Sequence, residues 1–144
     1  MNVSTRICVF GLLWKDDMLG VIELKSVSWD GFLHLPGGGV EFGESPMQAL
    51  MREWEEEVGI KIIQAVPFTN VSVCFNRTAE DGKHQSCHTI GMIYTIEKYE
   101  TLSGDQVEYE LLWKTAEQIQ ATPCMPILGS LVRECAIRKN NHGS

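Results

Sequence analysis

The order of apolar runs along the chain predicts an α/β (α+β) fold in which a mixed β-sheet lies between helices. Three observations carry this expectation. Extended, β-branched segments recur on both sides of one well-marked helical segment. That helix has clear start and stop signals. Two further helical patterns close the sequence. With 144 residues, 44% of them hydrophobic and 22% charged, the size and composition suit a single globular domain over residues 1–144.

Each element has its own local reason. Thr5 to Trp14 is apolar and β-branched and reads as a strand buried on both faces. Lys15-Asp16-Asp17 turns into a second strand, Met18 to Leu24. A loop from Ser26 to Gly31 leads to the short apolar piece Phe32 to Leu35, then to Pro36 and three glycines. Ser45 is a favoured N-cap, Pro46 suits the first helical position, and Gln48 completes a capping box. The helix ends near Val58, with Gly59 placed to reverse the chain. Lys61 to Phe75 reads as extended segments broken at Pro67 and Asn70, and Asn76 to Gln85 as a polar loop. Cys87 to Ile96 is a strong strand, Glu97 to Gln106 a loop, and Glu108 to Trp113 a short strand. Thr115 to Gln118 forms a second capping box, and Pro126 to Ile137 an amphipathic helix with Leu128, Leu131, Val132 and Cys135 on one side.

Composition excludes several classes of function. No apolar run reaches the roughly 18 residues of a membrane span, and the amino-terminal residues lack a secretory pattern. Cys8, Cys74, Cys87, Cys124 and Cys135 are odd in number and scattered. They read as small buried hydrophobes in a reducing cytoplasm. His84 and His88 flank Cys87 in what reads as a loop entering a strand, not a metal site. A net charge of −7 disfavours nucleic acid polymers as partners. Most of that charge is local: residues 37–60 hold six acids and one base, Arg52.

Helical spacing sorts the residues after Ser45. Met47, Leu50, Met51, Trp54 and Val58 share an apolar stripe, while Glu53, Glu56 and Glu57 share another face. Ala49 lies one turn earlier, where it would leave space before the carboxylates. Three like charges in the C-terminal half of a helix oppose one another and the helix dipole. A solvated acidic face explains them poorly, because the helix is otherwise so consistently specified. A hard divalent cation with all-oxygen ligands relieves both conflicts, and glycines at 37–39 allow backbone to approach it closely.

The segment Gly38-x5-Glu44-x7-Arg52-Glu53-Trp54-x-Glu56-Glu57-x-Gly59-Ile60 resembles the Nudix box, G-x5-E-x7-R-E-U-x-E-E-x-G-U. Trp54 departs from it, being aromatic where U is aliphatic, and on the core stripe it should alter packing and not chemistry. The resemblance implies an α/β/α sandwich, and Mg²⁺- or Mn²⁺-dependent cleavage of a nucleoside diphosphate linked to another group. It implies metal ligation by Glu53, Glu56 and Glu57, with the backbone carbonyl of Gly37 or Gly38. Arg52 would orient a glutamate, and Glu44 would steady the loop–helix turn or reach metal through water. Glu53 is the candidate base. Glu108 is the downstream alternative and Glu110 stands behind it, although both also read as surface acids.

Signatures of ADP-ribose, dinucleoside polyphosphate, NADH and coenzyme A hydrolases are absent, with Phe75, Asn76, Arg77 and Thr78 at positions where two of them would fall. The expectation is a small nucleotide substrate, a nucleoside triphosphate of ordinary, oxidised or non-canonical base. Trp29, Phe32, Phe75 and Tyr94 can stack on a base or serve as packing. NDP-sugars, ADP-ribose and dinucleoside polyphosphates are alternative substrates. A binding module without activity is the rival class, disfavoured by an intact set of glutamates. Isoprenoid isomerisation would need a cysteine in a suggestive context, and none is. Cytoplasmic location, no membrane partner, and a monomer or homodimer complete the reading.

Overall fold

The computed structural model describes residues 2–104 and 106–133. Its elements are β1 (Asn2–Leu12), β2 (Trp14–Lys15), β3 (Met18–Glu23), β4 (Leu33–His34), β5 (Gly37–Gly39), α1 (Pro46–Val58), β6 (Ile60–Thr78), β7 (His84–Thr101), β8 (Leu112–Thr115) and α2 (Ala116–Gln120). Residues 126–133 are helical and are called α3 here. One sheet has the order β5-β1-β7-β6, with β1 parallel to β7 and the other pairs antiparallel. A smaller sheet runs β2-β3-β4, with β8 also paired to β3. The expected mixed α/β architecture is therefore present.

Alternation along the central strands divides the core in two. Cys8, Phe10 and Leu12 of β1, with Leu19 and Val21 of β3, join Ile119 of α2 and Leu128 and Leu131 of α3. Val9 of β1 and Ile22 of β3 point the other way, into a cluster with Leu50, Trp54 and Val58 of α1. Period-2 alternation thus places helices on opposite faces of the strands, which is why Val9 and Phe10 are both buried.

Several boundaries differ from the sequence expectation. The first strand begins at Asn2 and ends at Leu12, and the turn at Asp16 and Asp17 joins a short hairpin. Asp16 takes a positive φ of 57°, which aspartate tolerates. Pro67 and Asn70 do not break the chain into pieces. β6 is continuous over 19 residues and absorbs Pro67 at a register shift between Pro67 and Thr69. It lies at the sheet edge, where a missing N–H is tolerated. Both flanking loops shrink: β6 takes up Asn76 to Thr78, while β7 begins at His84 and runs to Thr101. The late strand is Leu112–Thr115, not Glu108 to Trp113. His88 is strand-borne and lies 2.7 Å from the Ser72 hydroxyl. Among the described cysteines only Cys8 is buried. Cys74 is exposed, and both stand as free thiols with Cys87 and Cys124; Cys135 lies outside the described residues, as does the end of the last predicted helix. No described helix is long and apolar enough to cross a membrane.

Candidate functional site

Both ends of α1 are fixed by local chemistry. The Gln48 amide donates to Ser45 Oγ at 3.1 Å, and the Ser45 amide donates to Gln48 Oε1 at 2.8 Å. Gly59 closes the helix at φ 68°, in the left-handed region that glycine enters at little cost. The apolar stripe is buried as expected at Leu50, Trp54 and Val58, and Met47 and Met51 pack partly against it. Ala49 is fully buried and joins this core. Trp54 is accommodated because its indole N–H donates to the Pro36 carbonyl at 3.0 Å. Gly11 opposite also lacks a side chain; a methyl there would lie 2.7 Å from the indole nitrogen.

The three glycines form an edge strand, β5, instead of a loop, paired with Cys8, Val9 and Phe10 of β1. A side chain at Gly37 would run into the Val9 carbonyl. At Gly38 a methyl would lie 2.7 Å from a Glu53 carboxylate oxygen. Glycine is therefore needed for close approach: β5 lies directly against the glutamates of α1.

Arg52 organises the near side. Its Nε and Nη2 donate to the two oxygens of Glu44 at 2.8 and 3.0 Å, a bidentate fork. Nη2 also donates to the Gly39 carbonyl at 3.2 Å, while Nη1 donates to Glu53 at 2.9 Å and to Glu56 at 3.4 Å. Glu44 accepts a further bond from the Glu41 amide at 3.0 Å. Arg52 first, and that amide second, hold the Glu44 carboxyl down to about 2.

The three box glutamates meet different surroundings. The Glu56 side chain is 58% exposed and that of Glu53 18%. Glu57 is buried, at 6%, and accepts a hydrogen bond from the Gly37 amide at 3.1 Å. Burial above all, and then a hydrogen bond with Glu53, push its carboxyl up to about 9. The expected acidic face is thus graded from solvent to interior.

Glu108 is brought to this region, but from a loop. The Glu108 and Tyr109 amides donate to the carbonyls of Glu56 and Glu57 at 3.4 and 2.8 Å, satisfying the carboxyl end of α1. The Glu108 charge acts on Glu57. Glu110, exposed, makes no such contact among the described residues.

Of the aromatic candidates, Tyr94 is buried core. Trp29 packs edge-on against Phe32 and Phe75, with ring centroids 5.0 and 5.7 Å apart. Sequence reasoning missed Arg6, whose guanidinium lies beside Gly39, and His34, whose Nδ1 is buried without a partner. Burial pulls the His34 imidazole down to about 4.

The donor set suits a hard cation. It offers three carboxylates on one helix, one of them buried, facing a strand whose glycines admit close approach. Among the described residues, no three acidic, His or Cys side chains already converge at ligand spacing. Arg52 holds Glu53 and Glu56 in other contacts.

The chain has relatives among known proteins. Over 88 residues the chain is 33% identical to a probable DHNTP pyrophosphohydrolase of Lactococcus lactis subsp. cremoris, a match covering 59% of this chain and 51% of that protein. Over 60 residues it is 39% identical to an ADP-ribose pyrophosphatase of Methanocaldococcus jannaschii, covering 42% and 36%. These matches span about half or less of the relatives' lengths. A MutT NUDIX hydrolase from Burkholderia pseudomallei shares the fold, with a TM-score of 0.71 at 22% identity over 90% of this chain and 97% of that one. Residues 6–135 match the NUDIX domain as a unit, so this chain belongs to the Nudix family.

Proposed function

We propose that the chain is a Mg²⁺- or Mn²⁺-dependent pyrophosphohydrolase acting on nucleoside triphosphates, oxidised or non-canonical ones among them, and yielding a monophosphate and pyrophosphate. The observation that carries this is Glu57, a carboxylate buried at the foot of a three-glutamate cluster against a glycine strand. A buried carboxylate with no cation beside it stays protonated, and a nearby cation makes its ionisation favourable.

In this reading Glu53, Glu56 and Glu57 hold the metal with a backbone carbonyl of Gly37 or Gly38. Bound divalent metal neutralises diphosphate charge and lowers the pKa of a water. Arg52 orients Glu53 and Glu56, and Glu44 anchors Arg52 through the fork. Glu53 is the base that accepts the proton of the attacking water. Glu108, on the loop capping the helix end, is the alternative for that role. The name of the Lactococcus relative supports a triphosphate, and that of the Methanocaldococcus relative favours ADP-ribose as the second reading. The four free thiols among the described residues, Cys74 exposed among them, suit work in a reducing cytoplasm.

The test is a hydrolysis screen with Mg²⁺ or Mn²⁺ over nucleoside triphosphates, NDP-sugars, ADP-ribose and dinucleoside polyphosphates. Release of pyrophosphate from triphosphates is the expected result. Tight nucleotide binding without any product would point instead to a binding module.

A further inference from the structure

Arg6 stands in the exposed half of β1, opposite the glycine strand. Its guanidinium reaches the place a side chain at Gly39 would occupy, so the missing Cβ of Gly39 gives it room. Arg6, Thr5 and Ile7 form one wall of a cleft of about 430 Å³, and Gly39, Val40, Glu41 and Glu53 complete it. The cleft therefore opens directly onto one of the three box glutamates.

The pairing pattern here is unusual for an acidic region. Arg52 takes up Glu41, Glu44, Glu53 and Glu56 within 4 Å. Among the described residues the Arg6 guanidinium has neither an ion pair nor a hydrogen bond, although two carboxylates line the same cleft. One arginine is consumed in bracing the glutamates, and the other keeps its planar fork of donors available at the mouth. Such a fork matches the oxygens of a phosphate in a way that a lysine point charge does not.

We infer that Arg6 is a substrate-binding residue that grips the phosphate chain of the nucleotide from the side opposite the glutamates. This rests on the pyrophosphohydrolase reading above and adds to it the protein's own cation for the substrate's phosphates. Anionic oxygens would then lie between Arg6 and metal held by α1. Gly39 is needed at its position in β5 because any side chain there would displace the guanidinium.

The experiment compares wild type, Arg6→Ala and Arg6→Lys in two assays with Mg²⁺ present. Calorimetry measures the affinity for inorganic pyrophosphate, and steady-state kinetics measures hydrolysis of a nucleoside triphosphate. Arg6 is exposed, so melting temperatures should be unchanged, which is checked first. For Arg6→Ala the expected result is roughly tenfold or greater weakening of pyrophosphate binding, the scale of a hydrogen bond to a charged group. KM should rise by a similar factor with kcat within about threefold, as for an interaction made equally in ground and transition states. Arg6→Lys should recover part of both. Pyrophosphate binding within twofold of wild type in Arg6→Ala overturns the assignment, as does wild-type protein that binds no pyrophosphate. If wild type hydrolyses no nucleotide yet Arg6→Ala still loses pyrophosphate, the Arg6 assignment stands and the pyrophosphohydrolase reading falls.

Discussion

Glu44 and Glu57 lie 13 positions apart in one loop–helix segment and have opposite electrostatic situations. Glu44 receives a bidentate arginine and a backbone amide, and its carboxyl is held down to about 2. Glu57 receives one amide, is buried, and is pushed up to about 9. The same side-chain chemistry is fully satisfied by protein at one site and left wanting a cation at the other. The first arrangement suits a group that braces its neighbours, and the second suits a carboxylate that meets a cation.

Substitution of the proposed metal ligands should have the larger effect. Glu57→Gln or Glu56→Gln should lower turnover about a thousandfold or more, the scale of the several kcal/mol that metal charge stabilisation supplies. The fold, read by circular dichroism, should be retained. If both variants keep wild-type turnover, these ligands are wrongly assigned. Changes at the braced end act indirectly. Arg52→Gln and Glu44→Gln should each cost about 10–100-fold in activity or metal affinity, the usual range for residues that orient ligands. Wild-type metal affinity in both variants would deny the fork that role.

The pair also predicts opposite pH dependences of metal-free stability. Glu57 has a raised folded pKa, so between about 4.5 and 9 the folded state keeps a proton that the unfolded state has lost. Its contribution to stability is therefore fully present below about 4.5 and falls as pH rises toward 9. Glu44 has a depressed folded pKa, so its contribution is present above about 4.5 and falls as pH drops toward 2. Melting in chelator across pH should show the alkaline loss in wild type and a shallower one in Glu57→Gln. Parallel curves for the two would contradict the burial argument. The smallest effect is expected at Glu108, where Glu108→Gln should change kcat less than about tenfold if Glu53 is the base, since a general base contributes about 10²–10⁴. A larger loss than that would move the base to the capping loop.

What the sequence made legible was local in origin. The helix ends at Ser45 and Gly59 follow from side chains a few residues away, and they are present as expected. Trp54 could be placed in the core by helical spacing alone. Its acceptance there could not, since it depends on Gly11 and the Pro36 carbonyl, both remote in sequence. The burial of Glu57 was hidden for the same reason: the helical wheel gives an angle, but β5 and the 108–109 loop decide which angles are dry. Glycine is a poor strand former, and only pairing with β1 makes residues 37–39 extended. Pro67 looked like a break because nothing local says that its strand lies at an edge. Arg6 carried no signal at all, because its relation to the site runs through Gly39, 33 positions away.

The account turns on Glu57 exchanging a proton for a cation. Calorimetric titration with Mg²⁺ or Mn²⁺ at pH 7.5, in two buffers of different ionisation enthalpy, counts the protons released as metal binds. Wild type should release about one proton per loaded site, because metal ligands must be deprotonated to bind, and Glu57→Gln should release none. Metal uptake by wild type with no proton release, or an unchanged release in Glu57→Gln, would contradict it.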